Sequence, residues 1–559
     1  MPKRSNDGDI LSSQRKRARV ARTDDITDRL SVLTNEVLLH ILSFLPVSSL
    51  LTCQRLSRRF RALAGDSELW KRRYYSRWVR PRARRLVKAR RVTFPQGNAE
   101  YSPRVSTWLD HSHLVDEGRT PNWKRQYRLR HNWSRGLCRV TEVEVPQPQR
   151  PPLLVNFYSG FVLTADLEHG LRVWLAVTPK ICTANVQFTD STQQCFTVPT
   201  ALTTNRGPRP NSIEIVVGFE NGQFNVYDMD PDTLRLSLRF SHPGFANGAI
   251  TAMASSFPYL LMVSQHKHLS LYKLSTESRG ARPTESMETA RLLASLKADS
   301  ILASMSLSLR MAGPETIISS IVYSFFHIGC GWSLGIQELH FNKSGQQIRS
   351  RLTTTVDSQY SFRPLSYFQG GNRSSEGHER SSPPSHSFSP GPAILHHEPP
   401  TSVSYSHPYL LTSHPDNTLT VYLVVSTAAD LSVRSGQRLW GHTSSVSAVH
   451  VSDRGKAVSV SSRGDEIRIW DLESMMSSAG PQRQLEENSI QINPENKTQP
   501  DRNRAGLLSG TRLRETMDAR LNISNQLVVR GCIGFDDERV LLLREGRLGA
   551  QMLECYDFT

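Results

Sequence analysis

From Leu30 to Trp70 the chain reads LSVLTNEVLLHILSFLPVSSLLTCQRLSRRFRALAGDSELW, with apolar residues at helical rather than strand spacing. Thr34 or Asn35 is placed to cap a first helix, and Pro46, which has no N–H to donate, to end it. Ser48 or Ser49 opens a second helix that carries Leu50, Leu51, Leu56, Phe60 and Leu63 toward Gly65, a residue suited to a left-handed turn. Asp66 or Ser67 opens a third. In the first helix Val37, Leu38, Leu39, Ile41, Leu42, Phe44 and Leu45 are apolar on nearly every face, whereas a water-exposed helix carries one apolar stripe. About 45 residues are too few to cover such a helix, so one face is expected to belong to another protein.

From Leu137 onward the spacing changes to short β-rich runs separated by Gly, Asn, Asp and Ser. FVLTADLEHGLRVW (161–174), IEIVVGFENGQFNVY (213–227), YLLMVSQHKHLSLY (259–272), YLLTSHPDNTLTVY (409–422) and AVSVSSRGDEIRIW (457–470) align with one another. Each is an apolar strand, a tight polar turn, and a strand alternating toward a closing aromatic. Two more units are expected, around Ile317–Phe341 and from Gly531 to the last residue, with Leu137–Val145 supplying the outer strand of the last. Such a closure leaves no sheet edge open. These units resemble the WD repeats of β-propellers, most clearly at Gly441-His442 and Trp470-Asp471. About seven blades are implied, with six or eight as alternatives. The resemblance also implies a bracing network of histidine, serine, tryptophan and aspartate. His442 and Trp470 match it, but Val460 falls at the serine position and Gly464 at the aspartate, with Asp465 one place late, so the network is expected to be incomplete.

The helical stretch resembles an F-box, the adaptor-binding module of SCF-type ubiquitin ligases. Leu33, Glu36, Val37, Leu38, Ile41, Leu42, Leu45 and Pro46 fall where that family places its leucine, acidic residue, helix apolars and closing proline. Leu50, Leu51, Leu56, Ser57, Phe60, Leu69 and Trp70 continue the pattern; Thr34 stands where the family usually has proline. The fold class expected is multidomain, a small all-α F-box module followed by an all-β propeller. Its parts are a disordered basic tail (1–27), the F-box (28–72), a basic helical linker (73–135) and the propeller (136–559). Disordered insertions are expected at 366–400, rich in Ser, Pro, His and Gly, and at 475–510, rich in Gln, Asn, Glu and Ser. Ser382-Pro383 and Ser389-Pro390 suit proline-directed kinases, with plain spacer as the alternative.

Charge is uneven. The net +17 divides into 31 Lys and Arg against 12 Asp and Glu in residues 1–139, and 37 against 39 afterwards, which argues against a generic nucleic-acid-binding chain. Lys3 and Arg4, then ten residues, then Arg15, Lys16, Arg17 and Arg19 have the spacing of a bipartite nuclear import signal. Residues 71–91 hold eleven basic side chains and no acidic one, interleaved with Tyr74, Tyr75 and Trp78. That combination could hold RNA phosphates between stacked bases; the alternative is a linker helix with solvated or stem-packed arginines. Trp108, Trp123, Tyr127 and Trp133 suit docking against the next domain. The seven cysteines, without CxxC spacing, fit reduced thiols in the nucleus or cytoplasm. The first residues, MPKRSNDGDI, are not expected to act as a secretion signal, and no apolar run has membrane-spanning length.

Catalytic signals are scarce. Gly331-Trp332-Ser333-Leu334-Gly335 fits G-x-S-x-G, but that nucleophile elbow needs a following helix, and Ile336–Phe341 reads as a strand. No phosphate-binding loop or dinucleotide fingerprint occurs, His111 and His113, His266 and His268, and His396 and His397 lack metal-ligand spacing, and neither metal nor cofactor is expected. The paired resemblances imply a non-catalytic substrate receptor. Leu33, Glu36, Val37, Leu38, Ile41, Leu42, Leu45, Pro46, Leu50 and Leu51 would bind the Skp adaptor, which links to the cullin scaffold. The propeller would hold a target protein, phosphorylated in some such receptors; Arg463 matches a family phosphate-binding position, while equivalent turns offer Leu167, Glu220 and His266. The rival is a nuclear scaffold that binds RNA or ribonucleoprotein through residues 71–91.

Overall fold

A computed structural model describes residues 29–81, 121–143, 145, 153–177, 181–188, 197–209, 211–243, 248–274, 290–297, 305–313, 315–356, 394–434, 436–464, 466–472, 489–494, 527–546 and 551–559. The basic tail with its import-signal residues, basic residues 82–91, Trp108, and most of both expected insertions lie outside these. The chain divides into two compact units, Met1–Tyr75 with Asn122–Lys124, and Ser76–Pro121 with Arg125–Thr559.

The first unit is helical: α1 (Arg29–Val32), α2 (Asn35–Phe44), α3 (Val47–Cys53), α4 (Arg58–Leu63) and α5 (Ser67–Tyr74). The expected second helix is two helices. Pro46 itself precedes the first turn of α3, with its φ of −64° suited to that place, and neither Ser48 nor Ser49 caps it. The chain then breaks at 54–57, and the Ser57 hydroxyl restarts it by accepting from the Phe60 N–H. Asp66 caps α5 through the Glu68 and Leu69 N–H groups, and α5 runs to Tyr74, past the expected boundary at 72. Gly65 is not left-handed; a Cβ there would lie 2.9 Å from the Arg61 carbonyl oxygen, so glycine is needed for close approach. Leu38, Leu42, Leu50, Ala64, Leu69, Trp70 and Tyr74 are the buried core.

The second unit holds seven sheets. Leu137–Val143 is β1, set aside by the chain until its end. Blade 1 is β2 (Leu154–Tyr158), β3 (Phe161–Asp166), β4 (Gly170–Leu175) and β5 (Cys182–Val186). Blade 2 is β6 (Pro199–Arg206), β7 (Ile213–Phe219), β8 (Phe224–Asp230) and β9 (Arg235–His242). Blade 3 is β10 (Ile250–Ser256), β11 (Tyr259–Ser264), β12 (His268–Leu274) and β13 (Ala290–Lys297). Blade 4 is β14 (Met305–Ala312), β15 (Thr316–His327), β16 (Gly331–Asn342) and β17 (Gln347–Thr354). Blade 5 is β18 (Ser402–Ser406), β19 (Tyr409–Ser413) and β20 (Leu419–Ser426), bordered by β21 (Leu431–Val433) and β22 (Gln437–Leu439). Blade 6 is β23 (Val446–Val451), β24 (Lys456–Ser461), β25 (Ile467–Asp471) and β26 (Ser489–Gln491). Then β27 (Asn493–Pro494) leads toward blade 7: β28 (Leu527–Phe535), β29 (Arg539–Gly546) and β30 (Gln551–Asp557). β1 pairs antiparallel with β30 as the outer strand of blade 7, the expected closure.

The inner strands β2, β6, β10, β14, β18, β23 and β28 touch in succession, and β28 returns to β2, so the ring is a seven-bladed propeller. The third strand of each blade places one large aromatic inside: Trp174, Tyr227, Tyr272, Phe341, Tyr422, Trp470 and Tyr556. These are the closing aromatics of the repeat. Apolar clusters fill the spaces between neighbouring blades, from Leu163, Val173 and Ile215 between blades 1 and 2 round to Phe157, Trp174 and Leu541 between blades 7 and 1. Helix α6 (Trp123–Arg135) adds Leu129 and Trp133 to the cluster of blades 6 and 7, where Trp133 stacks on Phe558 at 4.0 Å and donates to the Asp537 carbonyl at 2.7 Å. Trp123 belongs to the helical unit, against Tyr74 and Tyr75.

Two segments expected as insertions contribute structure, one at its middle and one at its end. Within 475–510, Ser489–Gln491 pairs with β25 and Asn493–Pro494 with β1. The Gln- and Asn-rich composition hides the alternation of Ile490 and Ile492, which blade 6 uses for its fourth strand. Within 366–400, His396 bridges to Gly331.

His396 is buried and stacks on buried His414 with ring centres 3.6 Å apart. Their Nε2 atoms meet the hydroxyls of Thr420 at 3.2 Å and Thr412 at 2.9 Å, while both Nδ1 atoms are unpaired. Burial, with Arg438 beside it, pushes His396 down to about 4. Burial, with His396 as neighbour, pushes His414 down to about 3. The folded pair therefore refuses protons that the unfolded chain takes up, so stability is full above the ordinary imidazole value and falls as pH drops below it. The expected slope is about 1.4 kcal/mol per pH unit for each histidine, from about pH 6.5 to about pH 4. Urea denaturation at about pH 7.5 and about pH 5 checks it. His414→Gln should remove about half of the difference, and equal stability at both pH values would contradict the assignment.

Candidate protein-binding surfaces

The helical unit resolves α2 into two faces. Leu38 and Leu42 are buried, as is Leu50, at 1%, 2% and 0% exposure, whereas Val37, Ile41 and Phe44 are 45%, 41% and 72% exposed. Positions 37, 41 and 44 follow one helical stripe. Leu51 and Leu56 are also exposed. Of the ten residues expected to meet an adaptor, Val37, Ile41 and Leu51 present apolar surface, Glu36 and Pro46 are exposed, and Leu33 and Leu45 are half-buried. Leu38, Leu42 and Leu50, also expected in that set, are buried in the unit's own core. Phe44 was missing from that set, although its spacing from Val37 and Ile41 marks it. Glu36, at the start of α2, lies below the usual carboxylate range because its own N–H and the Thr34 hydroxyl bind it.

Both ends of α2 are held by arginines. Arg59 donates to Asn35 Oδ1 at 2.9 Å and to the Leu33 carbonyl. Arg73 donates to the Ser43 carbonyl at 2.8 Å and to the Leu45 carbonyl, which suits a cation at a helix C-terminus. Arg73 lies in the stretch whose arginines were candidates for phosphate, and there the aromatics are occupied too. Tyr74 is buried, Tyr75 packs on Trp123, and Trp78 packs on Tyr127 at 4.8 Å, with Arg77 donating to the Tyr127 hydroxyl at 2.9 Å. Among the described residues the segment offers no open stacking platform to RNA.

In the propeller, blade 6 has a serine and an acid beside His442 and Trp470, both displaced from their expected positions. Ser459, not Val460, is the serine: its Oγ meets His442 Nε2 at 2.6 Å and accepts from Trp470 Nε1 at 2.8 Å. Glu466 takes the aspartate's place, 3.4 Å from His442 Nδ1 and accepting the Thr443 N–H at 2.8 Å. Burial alone would raise its carboxyl; the Thr443 N–H and the Arg468 guanidinium instead hold it below the usual range. The extra methylene of glutamate lets an acid reach the histidine from two places beyond the turn glycine. Ser459→Ala leaves a buried indole N–H without its acceptor and is expected to cost about 1–3 kcal/mol, read as a lower thermal midpoint. An unchanged midpoint would show the network idle.

Arg463 is exposed in the turn between β24 and β25. Arg468, on the strand that follows, pairs with Glu466 at 2.6 Å, and Arg544, which donates to the neighbouring Gly464 carbonyl, pairs with Glu554 at 2.9 Å. Leu167, Glu220 and His266 occupy the corresponding turns, so the described residues assemble no multi-arginine phosphate pocket. Ser333 is buried inside the continuous strand β16, and no nucleophile elbow exists there. No group of His, Cys, Asp and Glu with metal-binding geometry occurs among the described residues.

The face that carries Arg463 also carries the β15–β16 turn and the loop from β22 to β23. There Phe326, Ile328 and Trp440 are 60%, 97% and 57% exposed. The Trp332 N–H donates to the His396 carbonyl at 2.9 Å and Arg438 to the Leu395 carbonyl at 3.1 Å, tying these loops together.

Residues 34–76 match the F-box-like family, and residues 138–559 match the family described as F-box protein pof12 beta-propeller. The chain belongs to the F-box protein pof12 β-propeller family. Its boundaries agree with the sheets: the match begins at Cys138, in the strand that closes blade 7, and ends at the last residue. F-box protein pof12 of Schizosaccharomyces pombe (strain 972 / ATCC 24843) is 21% identical over 457 residues, covering 79% of this chain and 84% of that protein. Among solved structures, the WD40 beta propeller domain of Doa1 aligns with a TM-score of 0.35 at 9% identity, covering 75% of this chain and 97% of that one. A chain of the Mitotic Checkpoint Complex aligns with a TM-score of 0.30 at 12% identity, covering 60% and 93%. Neither matched family of this F-box propeller protein is a catalytic one.

Proposed function

We propose that the chain is the substrate-recognition subunit of an SCF-type ubiquitin ligase. The helical unit docks on a Skp-type adaptor through Val37, Ile41, Phe44 and Leu51, and the adaptor joins it to the cullin scaffold. The propeller holds a target protein near the ubiquitin-charged enzyme. The work is positional: holding the target close raises its effective concentration, and this chain supplies no reacting group. The observation that carries the reading is the exposed stripe of α2, three apolar side chains about a third of a turn round the helix from the core-facing Leu38 and Leu42. The apolar residues Phe326, Ile328 and Trp440 on one propeller face suit a protein target. The test is a titration of the full chain with purified Skp-type adaptor, followed by addition of the cullin. Stoichiometric complexes at each step are expected. A folded chain that fails to bind the adaptor would contradict the reading.

A further inference from the structure

Leu51, Gln54, Arg55, Ser57, Arg58 and Arg61 line an open depression of about 500 Å³ on the helical unit. The three arginines are exposed, and none is within ion-pair distance of a carboxylate among the described residues. Among the described residues, the unit's acids are engaged elsewhere: Glu68 with Lys71, Asp66 at the start of α5, and Glu36 at the start of α2. Arg59 and Arg73 behave differently, being spent on backbone carbonyls. Arg58 and Arg61 stand three apart on α4, a spacing at which like charges destabilise a helix. Arg55, Arg58 and Arg61 share one depression with no carboxylate among the described residues to offset their repulsion, and an anion from outside would relieve it.

We infer that the depression receives a carboxylate-rich segment of the adaptor, so that Arg55, Arg58 and Arg61 form an electrostatic rim beside the apolar contact. The inference rests on the adaptor reading above. Its wall includes Leu51, one of the exposed apolar residues assigned to that contact, and Leu56 at 66% exposure lies beside it in the chain. Guanidinium forks match carboxylates in bidentate fashion. A nucleic-acid strand would need stacking faces, and no lining residue is aromatic. Rim charges act mainly on the encounter rate and its salt dependence, while the apolar centre sets the lifetime.

The experiment measures association and dissociation rates of the full chain with purified Skp-type adaptor between about 50 and about 500 mM salt. Wild type should associate about tenfold faster at the low end than at the high end. The variant R55Q/R58Q/R61Q should associate about tenfold more slowly at low salt, with its salt dependence nearly gone and its dissociation rate little changed. These side chains are exposed, so the fold should survive. The single change R58Q should show about a third of the effect. A triple variant that associates like wild type at every salt, while V37E/I41E fails to bind, overturns the depression's role and leaves the adaptor reading standing. A folded wild type that does not bind adaptor overturns both. Binding of a single-stranded RNA by wild type, lost in the triple variant, would replace the carboxylate by phosphate.

Discussion

Changing Val37 and Ile41 together to glutamate is expected to abolish adaptor binding while leaving the fold intact. Both side chains are about half exposed, so the isolated chain loses little by the change, and glutamate is a better helix former than either β-branched residue. In the complex, two apolar contacts would be replaced by two carboxylates in a dry interface. A loss of about 3–5 kcal/mol follows, more than a hundredfold in affinity. The inward pair behaves oppositely. Leu38→Ala or Leu42→Ala removes core volume at 1% or 2% exposure and should cost about 2–5 kcal/mol of stability. Calorimetric binding and thermal unfolding of both sets separate the faces. Loss of folding in V37E/I41E with L38A unaffected would reverse the assignment.

The second large effect is expected at Glu338, at the junction of blades 4 and 5. Its carboxylate is fully buried. It accepts from Arg310 at 2.9 Å, from Arg351 at 3.1 Å and from the Ser426 hydroxyl of β20 at 2.8 Å, with His340 3.5 Å away. Arg351 also reaches the Thr427 carbonyl. Burial would raise the carboxyl, but Arg310, Ser426 and Arg351 hold it below its usual value. Glu338→Ala strands two guanidinium groups in a poorly hydrated junction and should cost about 3–5 kcal/mol. Glu338→Gln keeps part of the hydrogen bonding and should cost less. Urea unfolding reads both, and a neutral alanine variant would show the junction open to water.

The blades were legible because each repeats the same local pattern: an apolar second strand, a tight turn, and a closing aromatic such as Trp174 or Tyr272. Blade closure by β1 was legible because the last unit lacked an outer strand and Leu137–Val145 lay free. What escaped depended on partners distant in sequence. Arg59 drew no reading, and Arg73 read as a phosphate ligand or as a solvated or stem-packed charge, because nothing local shows that carbonyls of Leu33, Ser43 and Leu45 await them. The acid of the blade 6 network sits two places past the turn glycine, so positional matching passed over Glu466. The break between α3 and α4 has no proline or glycine; its signal was Ser57 as a cap. The site itself was legible as excess apolar residues on α2, but the split into Leu38 and Leu42 within and Val37, Ile41 and Phe44 without required the packing of α3, α4 and α5.

Hydrogen–deuterium exchange of the full chain, with and without Skp-type adaptor, tests the central claim most directly. Slowed exchange in peptides covering α2 and α3, with the propeller blades unchanged, is the predicted result. Protection confined to the propeller, or none in a chain that binds, would contradict the assignment of the exposed α2 stripe as the adaptor surface.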